Sequence, residues 1–359
     1  MKNNRIILII TTFLVVFGVI MIYSASYIWA EYKFDNPYKF LINQGVFAII
    51  GFFIMIIVSK IDYKIFKKYA NHLLIISIIL LILVLIPGIG IIRNGSRSWF
   101  GIGSLGIQPS EIAKLALIIF TAKYLSNYSD KMSSIKNYVL PILGIIFLVF
   151  ILILLEPDFG SGAIMVLSLI VLIFTSKIKI SFFVILGIFG LMGIVGLIII
   201  APYRIARILA YLNPWSDPLG SGFQIIQSLY AIGPGGLFGL GLGNSIQKHF
   251  YLPEPQTDFI FAIISEELGF IGILLLAFCY ITLFSSIIKV SLQTKDLFGK
   301  YLSFGLIIEL VLQTLLNLLV VVGLIPVTGV TLPFLSYGGS SLLICMTMIG
   351  IILNISKNK

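Results

Sequence analysis

The sequence predicts an all-α, polytopic membrane protein with ten transmembrane helices and both termini on the cytoplasmic side. Three observations predict it. First, 59% of the 359 residues are apolar and 11% are charged, with a mean hydropathy of +1.12; soluble domains average roughly 45–50% and about 25%. A soluble core cannot hide that much apolar surface, whereas lipid can. Second, ten stretches approach the ~20 mostly apolar residues that a spanning helix needs: residues 6–26, 38–58, 71–92, 108–125, 138–156, 160–176, 180–201, 258–288, 301–323 and 337–355. Third, basic residues gather on alternate connections. With the N-terminus inside, the inner segments are the N-terminus, 59–70, 123–137, 177–179, 289–300 and the tail, and they hold 16 of the 24 Lys and Arg residues. This is the positive-inside pattern. The net charge of +10 therefore reports topology, and nucleic acid is not an expected partner.

Taken in order, the first run, 6–22, followed by Ser24-Ala25-Ser26, has the outline of a secretory signal, but nine further spans favour a signal anchor. Spans two and three flank the basic inner segment with Lys60, Lys64, Lys67 and Lys68. The outer segment 93–107 carries Arg93, Asn94, Arg97 and Trp99, long side chains that reach an interfacial ligand. Gln108-Pro109-Ser110 opens span four, where proline suits a helix start. Glu111 and Lys114 lie i,i+3 on one face of that span, a spacing suited to structural pairing.

Segment 202–257, between spans seven and eight, is far longer than a connection needs to be. Its aromatic residues, Tyr203, Tyr211, Trp215, Phe223, Tyr230, Phe250 and Tyr251, argue for a folded, partly membrane-embedded platform on the outer face. Within it, residues 233–243 hold six glycines. They lack the GK[ST] ending of a phosphate loop and read as a re-entrant or close-packed segment, because irregular backbone at membrane depth survives only where protein or a wet cavity satisfies it. Asp258 follows Pro253-Glu254-Pro255-Gln256-Thr257. It is expected in the first turn of span eight with Thr257 as N-cap, either complementing the helix dipole or serving chemistry. Glu266 and Glu267 lie about 12 Å deeper at 1.5 Å per residue and need internal partners. Glu309 is mid-membrane in span nine, with no partner named by the sequence.

Arg204 and Arg207, i,i+3 apart after Pro202, and Lys248 further along are cations on the outer side, against the prevailing bias. Guanidinium groups bind phosphate oxygens by paired hydrogen bonds, so a substrate carrying a diphosphate at the outer leaflet would explain them. Attraction to anionic headgroups, about 1 kcal/mol per cation, is the plainer explanation. Cys279 and Cys345 sit in apolar runs, and His72 and His249 are scattered. No metal motif or disulfide framework is legible.

The ordered motifs Tyr23-Ser24-Ala25-Ser26, Asn94-Gly95-Ser96-Arg97 with Trp99, Ile107-Gln108-Pro109-Ser110-Glu111 with Lys114, and Glu156-Pro157-Asp158 extend over the first half of the chain. They continue with Pro202-Tyr203-Arg204, Gly222-Phe223-Gln224, Tyr251-Leu252-Pro253-Glu254, Thr257-Asp258-Phe259-Ile260-Phe261, Glu266-Glu267-Leu268-Gly269, Pro326-Val327-Thr328-Gly329 and Ser336-Tyr337-Gly338-Gly339-Ser340-Ser341. Together they resemble the SEDS family (shape, elongation, division and sporulation), which includes FtsW, RodA and SpoVE. Gln256 and Arg204-Ile205-Ala206-Arg207 fit the FtsW/SpoVE branch.

The resemblance implies a ten-helix fold and a glycosyltransferase that polymerises lipid II at the outer face of the cytoplasmic membrane. It implies a class B penicillin-binding protein and the division or elongation machinery as partners. The family's essential aspartate maps onto Asp258, a general base for the acceptor hydroxyl. Arg204, Arg207, Lys248, Arg97 and Gln224 are the expected substrate-binding residues, and Glu111, Lys114, Glu266 and Glu267 the supporting ones. A divalent cation (Mg or Mn) sharing the diphosphate charge is compatible with this chemistry. The competing expectations are a lipid II flippase, which would use Glu266, Glu267 and Glu309, and a non-catalytic scaffold for a transpeptidase.

Overall fold

The computed structural model describes residues 2–358 apart from 94, 103, 104, 177 and 201, and excludes the side chains of 2, 93, 102, 105, 194, 197, 200 and 202–204. Its helices are α1 (Lys2–Phe34), α2 (Lys39–Val58), α3 (Lys64–Leu85), α4 (Pro109–Tyr128), α5 (Leu140–Leu155), α6 (Phe159–Phe174), α7 (Ile180–Ile200), α8 (Pro202–Leu212), α9 (Phe223–Ile232), α10 (Ile260–Gln293), α11 (Leu297–Val321) and α12 (Gly339–Lys357). Among the described residues, seven helices are long and apolar enough to cross a membrane: α1, α2, α3, α5 together with the helical turn Ile135–Val139 that leads into it, α10, α11 and α12. The protein is thus a multi-pass, predominantly helical membrane protein. Helices satisfy their own backbone groups, which lipid cannot do for them.

The expected spans 108–125, 160–176 and 180–201 coincide with α4, α6 and α7. Helix α4 carries Glu111, Lys114 and several hydroxyls, and 13 of its 20 residues are buried. Its polar groups therefore meet protein rather than lipid. It forms the centre of the bundle, packed against α3, α6 and α11, while α12 packs on α2 and α10 on α1. None of the described side chains of α7 is buried. Side chains cap two of the helix starts: Asp158 accepts from Ser161 N at 3.1 Å ahead of α6, and Asp296 from Gly299 N at 2.9 Å ahead of α11.

Three boundaries depart from the sequence expectation, the first being the end of α1 at Phe34 rather than residue 26. Helix α3 starts at Lys64 rather than residue 71, because the lysines of the inner segment continue the helix with their stems along apolar surface. It stops at Leu85 rather than residue 92. The chain then forms a three-stranded antiparallel sheet, β1 (Ile91–Arg93), β2 (Ser96–Ile102) and β3 (Leu105–Ile107), in the order β1-β2-β3. The sequence reading treats 93–107 as a plain outer segment and misses these strands. Their signals, short isoleucine-rich runs and Gly95 at φ +81° in the turn, are weak beside twenty-residue apolar periods.

Helix α10 is broken at Gly269, where φ is +62° and ψ is −161°. The glycine-rich segment fills the break. Leu240 N donates to Glu266 O at 2.9 Å and Gly241 N to Glu267 O at 3.0 Å, while Phe270 N donates to Gly236 O at 2.9 Å and Ile271 N to Leu237 O at 3.1 Å. The groups freed by the break are paired on both sides, which is how irregular backbone is accommodated inside a bundle. Glycine is required by contact as well as by φ. A Cβ on Gly239 (φ +79°) would lie 2.1 Å from Glu267 O, and one on Gly269 would lie 2.3 Å from Gly239 N. Gly239→Ala is therefore expected to destabilise the protein by about 1–3 kcal/mol through strain and lost pairing. A drop in the melting temperature of detergent-purified protein checks it, and an unchanged melt would show that the segment yields freely.

Candidate active site

The segment ahead of α10 places Asp258. The helix begins at Ile260, and Phe259 occupies the N-cap position without a side-chain cap bond. Asp258 thus lies just outside the helix rather than in its first turn, and Thr257 is not its N-cap. Both sequence expectations are corrected here; the prolines at 253 and 255 hold the chain in turns until Phe259. Three ties fix this segment. Tyr337 N donates to Gln256 O at 2.8 Å, and Thr257 N to Glu254 O at 3.0 Å. From α11, one amide, Asn317 Nδ2, donates to Asp258 O and to Val330 O, each at 2.7 Å. Asn317 is buried and absent from the sequence reading. Its signal was an amide, one of two with Gln313 in a mainly apolar span, which needs partners wherever it is buried.

The Asp258 carboxyl is half-buried and meets Thr257 Oγ1 at 2.9 Å. Burial pushes its pKa up from the ordinary aspartate value; the Thr257 hydrogen bond and the Arg207 charge work against that rise, and the Glu254 charge works with it. A raised pKa suits a base that must accept a proton near neutral pH. Beside this segment, α8 and α9 enclose a cavity of about 390 Å³. Arg207 and Gln224 line it together with Gly220, Phe223, Pro253 and Val327, and Arg207 Nη1 donates to Val327 O at 3.0 Å. Two residues expected at the substrate, 17 positions apart in sequence, therefore share one cavity, and Arg207 acts electrostatically on Asp258. Arg204 lies one turn earlier on α8; its side chain lies outside the described residues.

Two expected substrate contacts are placed elsewhere. Lys248 is 2% exposed, its Nζ lies 3.0 Å from Glu267 Oε1, and it also donates to Gly243 O. A buried, paired ammonium is not available to a diphosphate, so the expectation is corrected: Lys248 ties the outer segment to α10. Arg97, on β2, donates to Leu85 O at the end of α3 at 3.4 Å and is not among the residues lining the Arg207–Gln224 cavity.

The four supporting residues form two buried clusters. Glu267 accepts from Ser24 Oγ at 2.7 Å and from Lys248, and Glu266 accepts from Ile246 N at 2.9 Å and from Ser245 Oγ. They pin the glycine-rich segment and α1 to α10. In the second cluster, Lys114 Nζ lies 2.9 Å from Glu111 Oε1 and 3.3 Å from Glu309 Oε1, and Glu309 Oε2 accepts from Ser168 Oγ at 2.6 Å. The partner that the sequence did not name for Glu309 is Lys114. Among the described residues, no group of three or more His, Cys, Asp or Glu gathers as a metal site.

A family profile described as cell cycle protein, FtsW/RodA/SpoVE, matches residues 4–359. The chain belongs to this family. It is 53% identical over 354 residues to stage V sporulation protein E of Bacillus subtilis, covering 99% of this chain and 97% of that one. It is 41% identical to a Geobacter protein named "Probable peptidoglycan glycosyltransferase FtsW", covering 98% and 96%. Among solved structures, it superposes with TM-score 0.80 and 30% identity on a chain of a peptidoglycan synthase complex described as coordinating polymerization and crosslinking, covering 98% and 97%. The rod shape determining protein RodA of Thermus thermophilus superposes with TM-score 0.72 and 27% identity, covering 98% and 96%. The resemblance drawn from the motifs, including the FtsW/SpoVE branch, is borne out.

Proposed function

We propose that the chain is a peptidoglycan glycosyltransferase that polymerises lipid II at the outer face of the cytoplasmic membrane, in division or sporulation. The observation that carries this reading is Asp258, held by its main chain within electrostatic reach of Arg207, which lines a cavity together with Gln224. Family membership and the named activity of the FtsW relatives support it. The 4-hydroxyl of one sugar attacks the anomeric carbon of another, and undecaprenyl diphosphate leaves. The α-linked donor gives a β-1,4 product by a single inversion. Asp258 takes the hydroxyl proton as the C–O bond forms. Arg207, with Arg204 on the same helix, meets the charge that grows on the diphosphate. A carboxylate pair of the glycosidase kind is not needed, because diphosphate leaves without a strong acid. A divalent cation, when bound, would neutralise diphosphate charge.

The topology that serves this chemistry has ten spans, with α4, α6 and α7 completing the seven. Both termini face the cytoplasm, and segment 202–257 faces out. The basic inner segments support this orientation. The partner proposed is a class B penicillin-binding protein, a reading supported by the synthase complex on which the chain superposes. The flippase reading loses its basis, since Glu266, Glu267 and Glu309 are each engaged in internal contacts.

Purified full-length chain, with its transpeptidase partner in detergent, is expected to convert lipid II to glycan polymer; translocation in vesicles without polymer would restore the flippase. Arg207→Ala is expected to lower turnover on the order of 10²-fold with an unchanged melting temperature. Equal turnover would make Arg207 a structural residue of the Val327 turn.

A further inference from the structure

Between α11 and α12 the chain has no regular backbone over 326–332, yet side chains from α8 and α11 hold its carbonyls. Arg207 Nη1, on α8, donates to Val327 O at 3.0 Å. Asn317 Nδ2, on α11, donates to Val330 O at 2.7 Å. The same Asn317 amide donates to Asp258 O at 2.7 Å. Carbonyl oxygens only accept, so both must be met by the NH2 group. Asn317 Oδ1 has no hydrogen-bond partner among the described residues. The two donated bonds therefore orient the amide, and the amide sets the distance between the Asp258 and Val330 main chains. Arg207 is tied to the same stretch at Val327.

We propose that segment 327–330 is a spacer between the two halves of the active site, with Asn317 and Gly160 as its positioning residues. It fixes Asp258, which serves the acceptor hydroxyl, relative to Arg207, which serves the leaving diphosphate. The inference rests on the roles proposed for those two residues. In a single inverting displacement the attacking oxygen, the anomeric carbon and the leaving oxygen stand in line. The base and the cation serve opposite ends of that line, so their separation must match its length. Misplacement by about 1 Å can cost about 10²-fold in rate. Asn317 is uncharged and bonds the Asp258 main chain, so it acts through position and supplies no proton.

Two observations distinguish a spacer from an ordinary tie between helix and loop. Gln313, one turn earlier on α11, holds the neighbouring Thr331 with the same chemistry, donating to its carbonyl and its hydroxyl at 3.1 Å each. That tie falls outside 327–330 and binds no part of the Asp258 segment. From the other side, α6 closes directly on the spacer. A Cβ on Gly160 would lie 2.5 Å from Thr328 O and 2.9 Å from Val330 Cγ2. The segment is thus gripped at both ends by side chains and pressed between them by the main chain of α6.

The test is steady-state lipid II polymerisation by the full-length chain with its transpeptidase partner, each rate referred to the folded fraction. Asn317→Ala is expected to lower kcat by about 10–10²-fold with KM unchanged. Gln313→Ala is expected to lower the melting temperature with a much smaller loss of kcat. Gly160→Ala keeps every hydrogen-bonding side chain and pushes the segment from the α6 side. It is expected to lower kcat in the same way as Asn317→Ala, and it covers the case in which that variant does not fold. Combining Asn317→Ala with Arg207→Ala is expected to lose less than the product of the two single losses, because both changes release the same separation. Wild-type kcat in Asn317→Ala or in Gly160→Ala, equal losses in Asn317→Ala and Gln313→Ala, or a double variant that loses the full product overturns the inference. Asp258→Asn tells the two readings apart. Turnover kept in that variant removes the base and the spacer together, whereas turnover lost there with wild-type kcat in Asn317→Ala and Gly160→Ala removes the spacer alone.

Discussion

Asp258→Asn is expected to abolish polymerisation while leaving the folded protein at least as stable as the wild type. The two halves have separate causes. General base catalysis contributes about 10²–10⁴-fold, and an amide in place of the carboxylate cannot accept the acceptor hydroxyl's proton, so turnover falls by that amount. Stability follows from linkage. Burial raises the folded-state pKa of Asp258 above its unfolded value, so the folded state holds the proton more tightly. The ionised carboxyl therefore works against folding, and the wild type loses stability as pH rises through the window between the two pKa values. Asparagine is neutral throughout and loses none. The wild-type melting temperature should therefore approach that of the variant as pH falls, while activity fails on the acid side at a pH above the usual aspartate value of about 3.9. Near-normal polymer from the purified variant would remove Asp258 from the mechanism.

The fold was legible to the extent that lipid simplifies the code. A helix in a bilayer announces itself by length and composition, and α2, α5, α10, α11 and α12 stand close to their expected limits. Helix α4 was legible for a different reason: Pro109 marks its start, and its charges demand burial. What escaped was structure made by irregular backbone. The strands over 91–107 depend on pairing between short runs, which no period in the sequence displays. The glycine-rich segment was recognised as close-packed, but its use, mending the break at Gly269, depends on a meeting between residues about 30 positions apart.

The same distinction governs the site. Asp258, Arg207 and Gln224 were found by residue type in motif context, and the fold brings Arg207 and Gln224 together in one cavity, with Asp258 in electrostatic reach of Arg207. Lys248 was misassigned because an outer-side cation looks the same whether it faces water or a buried glutamate. Only the packing of 243–248 against α10 shows which. Asn317 went unseen because an amide carries no charge to mark it, although it fixes the main chain of the catalytic segment.

Lys114→Met is expected to be the most destabilising single substitution in the membrane interior. Lys114 is the cation of a buried cluster with two carboxylates, Glu111 at 2.9 Å and Glu309 at 3.3 Å. Methionine fills much the same volume, so packing survives and the loss is electrostatic. Breaking a buried pair by removing one partner costs about 3–5 kcal/mol, because the other charge stays desolvated; here two acids are stranded in place of one. A large fall in melting temperature and in the yield of folded protein is the expected result. Glu309→Gln should be far milder, since Lys114 keeps Glu111 and the amide oxygen still accepts from Ser168. The triple change Lys114→Met, Glu111→Gln and Glu309→Gln should recover much of the loss, since replacing all members of a buried ionic cluster is often close to neutral. If the triple variant is active, the cluster serves the scaffold alone. If it is stable but inactive, the charges also shape the path to Asp258. A Lys114→Met protein that melts with the wild type would mean that water reaches α4 and that the cluster is not dry.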